Sequence, residues 1–189
     1  MSNSKLEQLF LSVTDGNKDH SKQQPPVHLW SPTFSGDIDI RIDRDGNWFH
    51  EGGKMTRLSM VKMFSRILKR EGDDYFLVTP VEKWRIQVDV APFVIVDIEM
   101  LEEQGVVGII AVTNVGQKIL LGEGHPLIVN TDKLGNPQPI VEIRDGLYAL
   151  IHRNVFYELI EYAKTQLIDG RKVLVLESAN EAFNLGYID

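Results

Sequence analysis

Two arginines, Arg57 and Arg153, stand at the predicted starts of two helices. A positive side chain at a helix start opposes the macrodipole, so neither arginine is expected there for local helix stability. The free N–H groups of a helix start and a guanidinium together suit a phosphate or a carboxylate. Two interpretations follow. Either both arginines converge on one phosphate-bearing ligand, or each pairs with a nearby carboxylate and braces a loop.

A short turn pattern occurs twice, as Asp43-x-x-Gly46-Asn47 and as Asp132-x-x-Gly135-Asn136. One helix-start arginine follows downstream of each copy. Repeated spacing of this kind is typical of an internal duplication. It predicts a tandem repeat of a sheet-plus-helix unit, with halves over 25–90 and 91–189. Turn residues also match by chance, so the spacing alone leaves duplication and coincidence both open.

Short β-like runs make up most of the chain between the two helices. Ile38, Ile40 and Ile42 alternate with polar residues, as in a half-buried strand, and the turn at Asp45-Gly46 predicts a hairpin. The strands do not alternate regularly with helices. The pattern therefore predicts an α+β fold with mainly antiparallel sheet, not a doubly wound parallel one.

Helical spacing of apolar residues predicts the two helices. The first runs over 57–71, with Thr56 as N-cap and Gly72 beyond its end, and the second runs over about 154–167. Four basic residues, Lys62, Arg66, Lys69 and Arg70, fall on one predicted face of the first helix. They form either a solvated helix face or a stripe that contacts phosphates.

The N-terminal region, 1–24, differs from the rest of the chain. Apolar residues in 1–13 have the spacing of a short amphipathic helix, and the polar run that follows predicts a flexible linker. The interruption of the apolar run by charged residues argues against a signal peptide. The apolar stretches elsewhere are far shorter than the ~20 residues of a membrane span. We expect no association with a membrane.

Composition excludes several classes of function. The 189 residues suffice for one large domain or two small ones, and the net charge of −7 argues against non-specific nucleic-acid binding. The chain has no cysteine, which excludes thiolate catalysis, cysteine-ligated zinc, iron–sulfur clusters and disulfides. Such a composition fits the reducing cytoplasm, which is the location we predict.

Catalytic motifs are missing from the sequence. It contains no phosphate-binding P-loop, no dinucleotide fingerprint, no nucleophile elbow and no HExxH zinc motif. We therefore expect a protein without catalytic activity, cofactor or metal. The alternative is a hydrolase of a phosphorylated small molecule, in which His125 works with Glu82 and Asp89 as acid and base.

Five stretches, taken in order, resemble one bacterial family, the domain-of-unknown-function family 1285 (DUF1285). They are GDIDIRIDRDGNWFHEG (36–52), YFLVTPVEKWRIQVDVAPF (75–93), TNVGQ (113–117), GHPL (124–127) and GLYALIHRNVFYEL (146–159). The resemblance implies a duplicated α+β fold whose C-terminal half is similar to a pleckstrin-homology barrel. It also implies a cleft between the halves that takes a nucleotide-like ligand in signal transduction, and no established catalysis.

The resemblance and the residues together predict an anion site at the junction of the two halves. The predicted lining is Arg41, Trp48, Arg57, Lys83, Asn114, His125, Arg144 and Arg153. The cationic side chains would hold phosphate, Trp48 would stack on a base, and Asn114 or His125 would fix a polar edge. The alternative is a protein-interaction scaffold, which a contiguous apolar patch on the second helix would favour over an arginine-lined cleft.

Overall fold

The computed structural model describes residues 24–103 and 105–188, which form two compact units. The first unit holds residues 24–42 and Asn47–Val88. The second holds the short segment Asp43–Gly46 and the described residues from Asp89 onward. The predicted N-terminal helix and the linker as far as residue 23 lie outside the described residues.

The first unit is built on a six-stranded sheet in the order β3-β2-β1-β6-β5-β4. Its strands are β1 (Phe34–Ile42), β2 (Trp48–His50), β3 (Gly53–Lys54), β4 (Leu68–Glu71), β5 (Asp74–Val78) and β6 (Lys83–Val88). The helix α1 (Leu58–Arg66) connects β3 to β4. The central pair, β1 and β6, is parallel, and the other pairs are antiparallel. Ile38, Ile40 and Ile42, which occupy alternate positions of β1, are all buried, as their spacing predicts.

The helix α1 is shorter than its apolar spacing predicts. Arg57, not Thr56, is its N-cap, and it ends at Arg66. The chain then enters β4, in which Lys69 pairs with Phe76 of the neighbouring strand. Pairing within the sheet overrides local helical spacing because it buries Leu68 and satisfies the backbone. The basic stripe predicted on one helix face therefore does not form.

The second unit contains a six-stranded sheet in the order β10-β11-β12-β7-β8-β9 and a three-stranded sheet in the order β13-β14-β15. The first sheet comprises β7 (Phe93–Glu103), β8 (Val106–Thr113), β9 (Lys118–Leu120), β10 (Leu127–Thr131), β11 (Pro137–Arg144) and β12 (Leu147–Ile151). The second comprises β13 (Lys164–Ile168), β14 (Arg171–Ser178) and β15 (Glu181–Ile188). The helix α2 (Arg153–Tyr162) joins β12 to β13 and ends five residues earlier than predicted.

The two six-stranded sheets share one connectivity. In each, the first and last strands form a central parallel pair, and an antiparallel three-stranded meander extends on either side. The α+β fold with mainly antiparallel sheet is therefore confirmed, as is the prediction of two related domains, and the sheet is curled. The helix follows the third strand in the first unit but the sixth strand in the second. The two helix starts consequently do not occupy equivalent positions in the repeated sheet.

Each unit has its own apolar core. Trp48, Phe64 and Leu77 are fully buried in the first unit, and Phe93, Ile109 and Leu121 are fully buried in the second. The helices rest on these cores through one face, as in α2, where Leu159 is buried and Tyr157 is exposed. Within residues 24–103 and 105–188, no helix is long and apolar enough to cross a membrane.

Candidate functional site

The second unit contains a cavity of about 600 Å³ beside the start of α2, here called the α2 cavity. Its polar lining consists of Arg44, Asp45, Asp132, Asn136, His152, Arg153 and Tyr157. Its apolar lining consists of Val94, Leu134, Pro137, Pro139, Leu150, Ile151 and Phe156. A concave site of this size, lined equally by polar and apolar residues, suits a small organic ligand that carries both kinds of group.

Two turns of the same geometry contribute to the lining of the α2 cavity. The carboxylate of Asp43 accepts a hydrogen bond from the backbone N–H of Asp45 at 2.9 Å. The carboxylate of Asp132 accepts one from the backbone N–H of Leu134, also at 2.9 Å. The glycine of each turn has a left-handed φ, 76° in the first and 84° in the second. The pattern that occurs twice in the sequence therefore forms the same turn twice.

Both turns contribute polar side chains to the α2 cavity. The first turn, which follows β1, presents Arg44 and Asp45. The second turn, which joins β10 to β11, presents Asp132 and Asn136. Because most of the first unit and several strands of the second separate the two turns along the chain, only the tertiary fold places these groups at one cavity.

Asn114 fixes the first turn in place. Its side-chain amide nitrogen donates to the carbonyl of Gly46 at 3.1 Å, and its amide oxygen accepts from the backbone N–H of Val94 at 3.2 Å. Its own backbone N–H donates to the carbonyl of Val94 at 2.8 Å. Asn114 thus positions Arg44 and Asp45 without lining the cavity itself.

The start of α2 supplies a second positive charge. Arg153 donates from Nε to the hydroxyl of Tyr157 at 2.9 Å, and its guanidinium lies 5.4 Å from the centre of that ring. Among the described residues, no carboxylate lies within ion-pair distance of Arg153. His152 is the N-cap, and its Nδ1 accepts from the backbone N–H of Asn154 at 3.4 Å. The interpretation that Arg153 braces a loop through a carboxylate therefore does not describe this helix start.

The carboxylate of Asp132 is held ionised by its neighbours. Hydrogen bonds from the backbone and side chain of Asn136 lower the pKa of the Asp132 carboxyl, and the backbone N–H of Leu134 and the charge of Arg44 act in the same direction. The backbone bonds from Leu134 and Asn136 are both 2.9 Å long. A carboxylate with a lowered pKa and occupied oxygens is poorly suited to act as a general acid or base.

Comparison with known proteins places this architecture in a family. One family model, described as the N-terminal domain of a domain of unknown function (DUF1285), matches residues 25–91. Another, described as the C-terminal domain of a protein of unknown function (DUF1285), matches residues 92–185. The chain belongs to the DUF1285 family.

Two solved structures of DUF1285 family proteins are similar to this one. The protein from Silicibacter pomeroyi DSS-3 is 43% identical, with a TM-score of 0.82, and the match covers 95% of each chain. The protein from Shewanella baltica OS155 is 27% identical, with a TM-score of 0.52, and the match covers 65% of this chain and 90% of that one. No curated protein matches the sequence.

Four of the predicted site residues of this DUF1285 protein lie in the first unit. Trp48 is 1% exposed and its ring stacks on Phe64, with 6.3 Å between ring centres, so it is a core residue and offers no free face to a base. Lys83 forms an ion pair with Glu71. Arg41 lies on the exposed side of β1, and Arg57 lies at the exposed start of α1.

The other four predicted residues lie in the second unit, and Arg153 alone among them lines the α2 cavity. Asn114 contacts the first turn through the carbonyl of Gly46 and does not line the cavity. His125 is half-buried, and its Nδ1 lies 2.9 Å from the carbonyl oxygen of Glu142. The guanidinium of Arg144 lies 5.4 Å from the ring centre of Phe93. The predicted cleft between the two halves stays a prediction.

Sequence reasoning misses most of the cavity's polar residues, namely Arg44, Asp45, Asp132, Asn136, His152 and Tyr157. The repeated turn pattern is the available signal, because it contains or borders four of them. Its repetition indicates duplication, whereas nothing in its spacing indicates that the two copies share one site. Among the described residues, no group of three histidine, aspartate or glutamate side chains is placed to hold a metal ion.

Proposed function

We propose that this DUF1285 protein binds a small, phosphate-bearing, nucleotide-like ligand in the α2 cavity without transforming it. The observation that carries the proposal is the placement of Arg44 and Arg153, from distant parts of the chain, on one cavity. A guanidinium is the side chain best matched to phosphate, because its planar fork donates two parallel hydrogen bonds.

The remaining lining supports a ligand with an apolar or aromatic part. Phe156 and Leu150 are buried residues of the lining, and two prolines of β11, Pro137 and Pro139, line the cavity as well. Proline rings and aromatic side chains form flat apolar surfaces on which a base can rest. A phosphate held at the rim and a base against this floor would together occupy a site of nucleotide size.

The polar groups of the cavity support binding more than hydrolysis. Acid–base chemistry needs a group that exchanges a proton within hydrogen-bond reach of the substrate. The oxygens of Asp132 are occupied by Asn136 and Leu134, and Nδ1 of His152 caps α2. This leaves Asp45 as the lining carboxylate that has no partner among the described residues. His125, the centre of the hydrolase alternative, is not among the residues that line the cavity. A cytoplasmic sensor that binds its ligand and relays the ligand's level would need a binding site and no acid–base group.

A thermal-shift panel with a paired substitution tests the proposal. Ribonucleoside mono-, di- and triphosphates are titrated against the full chain, and a ligand at 100 Kd should stabilise it by about 2.7 kcal/mol. Arg153→Gln should weaken binding by about 1.5–3 kcal/mol, the range of a charge-assisted hydrogen bond. Arg57→Gln is the matched control, because it removes the arginine of the other helix start.

The outcomes separate the alternatives. Loss of binding in Arg153→Gln alone supports the α2 cavity. An equal loss of binding in both variants would show that the α2 cavity is not the whole binding site. It would support the prediction that Arg57 and Arg153 hold one ligand together. A flat response to every phosphate compound at millimolar concentration would overturn ligand binding and leave the interaction scaffold as the remaining prediction.

A further inference from the structure

The charges on the α2 cavity are balanced. Arg44 and Arg153 bring two positive charges, and Asp45 and Asp132 bring two negative ones. A site built for a chain of phosphates would be expected to carry a positive surplus, because every phosphate adds negative charge. The balanced lining therefore restricts which phosphate-bearing ligands fit.

The two carboxylates differ in their surroundings. Asp132 accepts hydrogen bonds from Leu134 and Asn136, so its oxygens are occupied within its own turn. Asp45 is exposed, and in the described part of the chain its carboxylate has no hydrogen-bond or ion-pair partner. An ionised carboxylate accepts hydrogen bonds only. Asp45 is thus available to a ligand group that donates.

We infer that the ligand carries a single phosphate and, away from it, a donor such as a pair of sugar hydroxyls, which Asp45 accepts. This inference rests on the proposed function and narrows it to phosphomonoesters of the nucleoside monophosphate type. The single phosphate lies with Arg153, whose Nε is held by Tyr157 while its terminal nitrogens are left to donate. A second or third phosphate adds negative charge to a lining that already holds Asp45, and the other cation, Arg44, already acts on the carboxylate of Asp132.

The test compares AMP, ADP, ATP and 2′,3′-dideoxyadenosine 5′-monophosphate by calorimetry, in buffer with a chelator. The chelator matters because a divalent cation would neutralise the additional phosphates. We expect AMP to bind more tightly than ADP or ATP. Asp45→Asn should weaken AMP binding about tenfold, because a neutral amide oxygen replaces a charged acceptor. The same variant should leave binding of the dideoxy compound nearly unchanged.

Glu158→Gln is the matched control, because Glu158 is an exposed acid of α2 that does not line the cavity. It should leave the ratio of ATP to AMP affinity unchanged, whereas Asp45→Asn should shift that ratio toward ATP. ATP binding as tightly as AMP, with dependence on Arg153 retained, would overturn this inference and leave the proposed function standing. No binding by any of the four compounds would overturn both.

Discussion

Asn114 and Gly46 are fitted to each other so closely that a side chain at position 46 would force its neighbours to move. A Cβ atom added to Gly46 would lie 2.5 Å from the amide nitrogen of Asn114 and 2.9 Å from Cγ2 of Val94. The same amide nitrogen donates to the carbonyl of Gly46. Because Arg44 and Asp45 belong to this turn, the pair Asn114–Gly46 sets where two polar groups of the α2 cavity stand.

Substitution of Gly46 should cost more than substitution of its counterpart in the second turn. Gly46→Ala introduces a left-handed alanine, at about 1–2 kcal/mol, and a clash with Asn114 besides. Gly135→Ala is the matched control, because Gly135 also has a left-handed φ but has open space where its Cβ would stand. Urea denaturation should show the larger loss for Gly46→Ala. Equal losses would contradict the close fit.

Removal of the Asn114 side chain should destabilise the second unit and interact with the change at Gly46. Asn114→Ala leaves the carbonyl of Gly46 and the N–H of Val94 without their partner, at about 1–3 kcal/mol. It also vacates the space that a Cβ at position 46 needs. The double variant should therefore lose less free energy of unfolding than the two single losses added together. Simple additivity, measured by the same denaturation, would show that the two residues are not coupled.

Trp48 should prove to be a core residue and not a stacking surface for a ligand. Trp48→Ala should cost about 3–5 kcal/mol of stability, because it removes a buried aromatic ring. Trp48→Phe should cost much less, since it retains a ring against Phe64 and removes an indole N–H that has no partner among the described residues. Nucleotide titration of Trp48→Phe should match the wild type. Weakened binding with unchanged stability would restore the base-stacking interpretation.

Glu71 should make stability depend on pH. Hydrogen bonding to Lys83, aided by Lys69, lowers the pKa of the Glu71 carboxyl from its ordinary 4.5. Its contribution is therefore fully present above that ordinary value and is lost as the pH falls through the lowered one. Glu71→Gln should reduce stability by about 0.5–1 kcal/mol at neutral pH, and the difference should vanish in acid.

A control for this pH dependence is Glu161→Gln. Glu161 is exposed on α2 and has no ion pair among the described residues. Its substitution should change stability little at either pH. A difference between wild type and Glu71→Gln that persisted in acid would mean that Glu71 acts through packing and not through its charge.

Several local features of this protein can be predicted from spacing alone. The alternation of Ile38, Ile40 and Ile42 predicts a strand with one buried face, and that strand is present. The predicted start of α2, at Asn154, lies next to the observed start at Arg153. These features depend on neighbours in the sequence, through side-chain alternation and helical periodicity, so short windows contain the information they need.

The ends of both helices and the composition of the cavity depend on partners far away in the sequence. Residues 67–71 continue the helical pattern of apolar residues. Four of them, Leu68–Glu71, instead form β4, because β5 offers backbone groups and apolar side chains for pairing. Arg44 and Asp132 meet at one cavity because Asn114 holds the first turn against Val94. Local spacing carries no information about such contacts, since their free energy comes from burial and hydrogen bonds between segments that only the complete fold brings together.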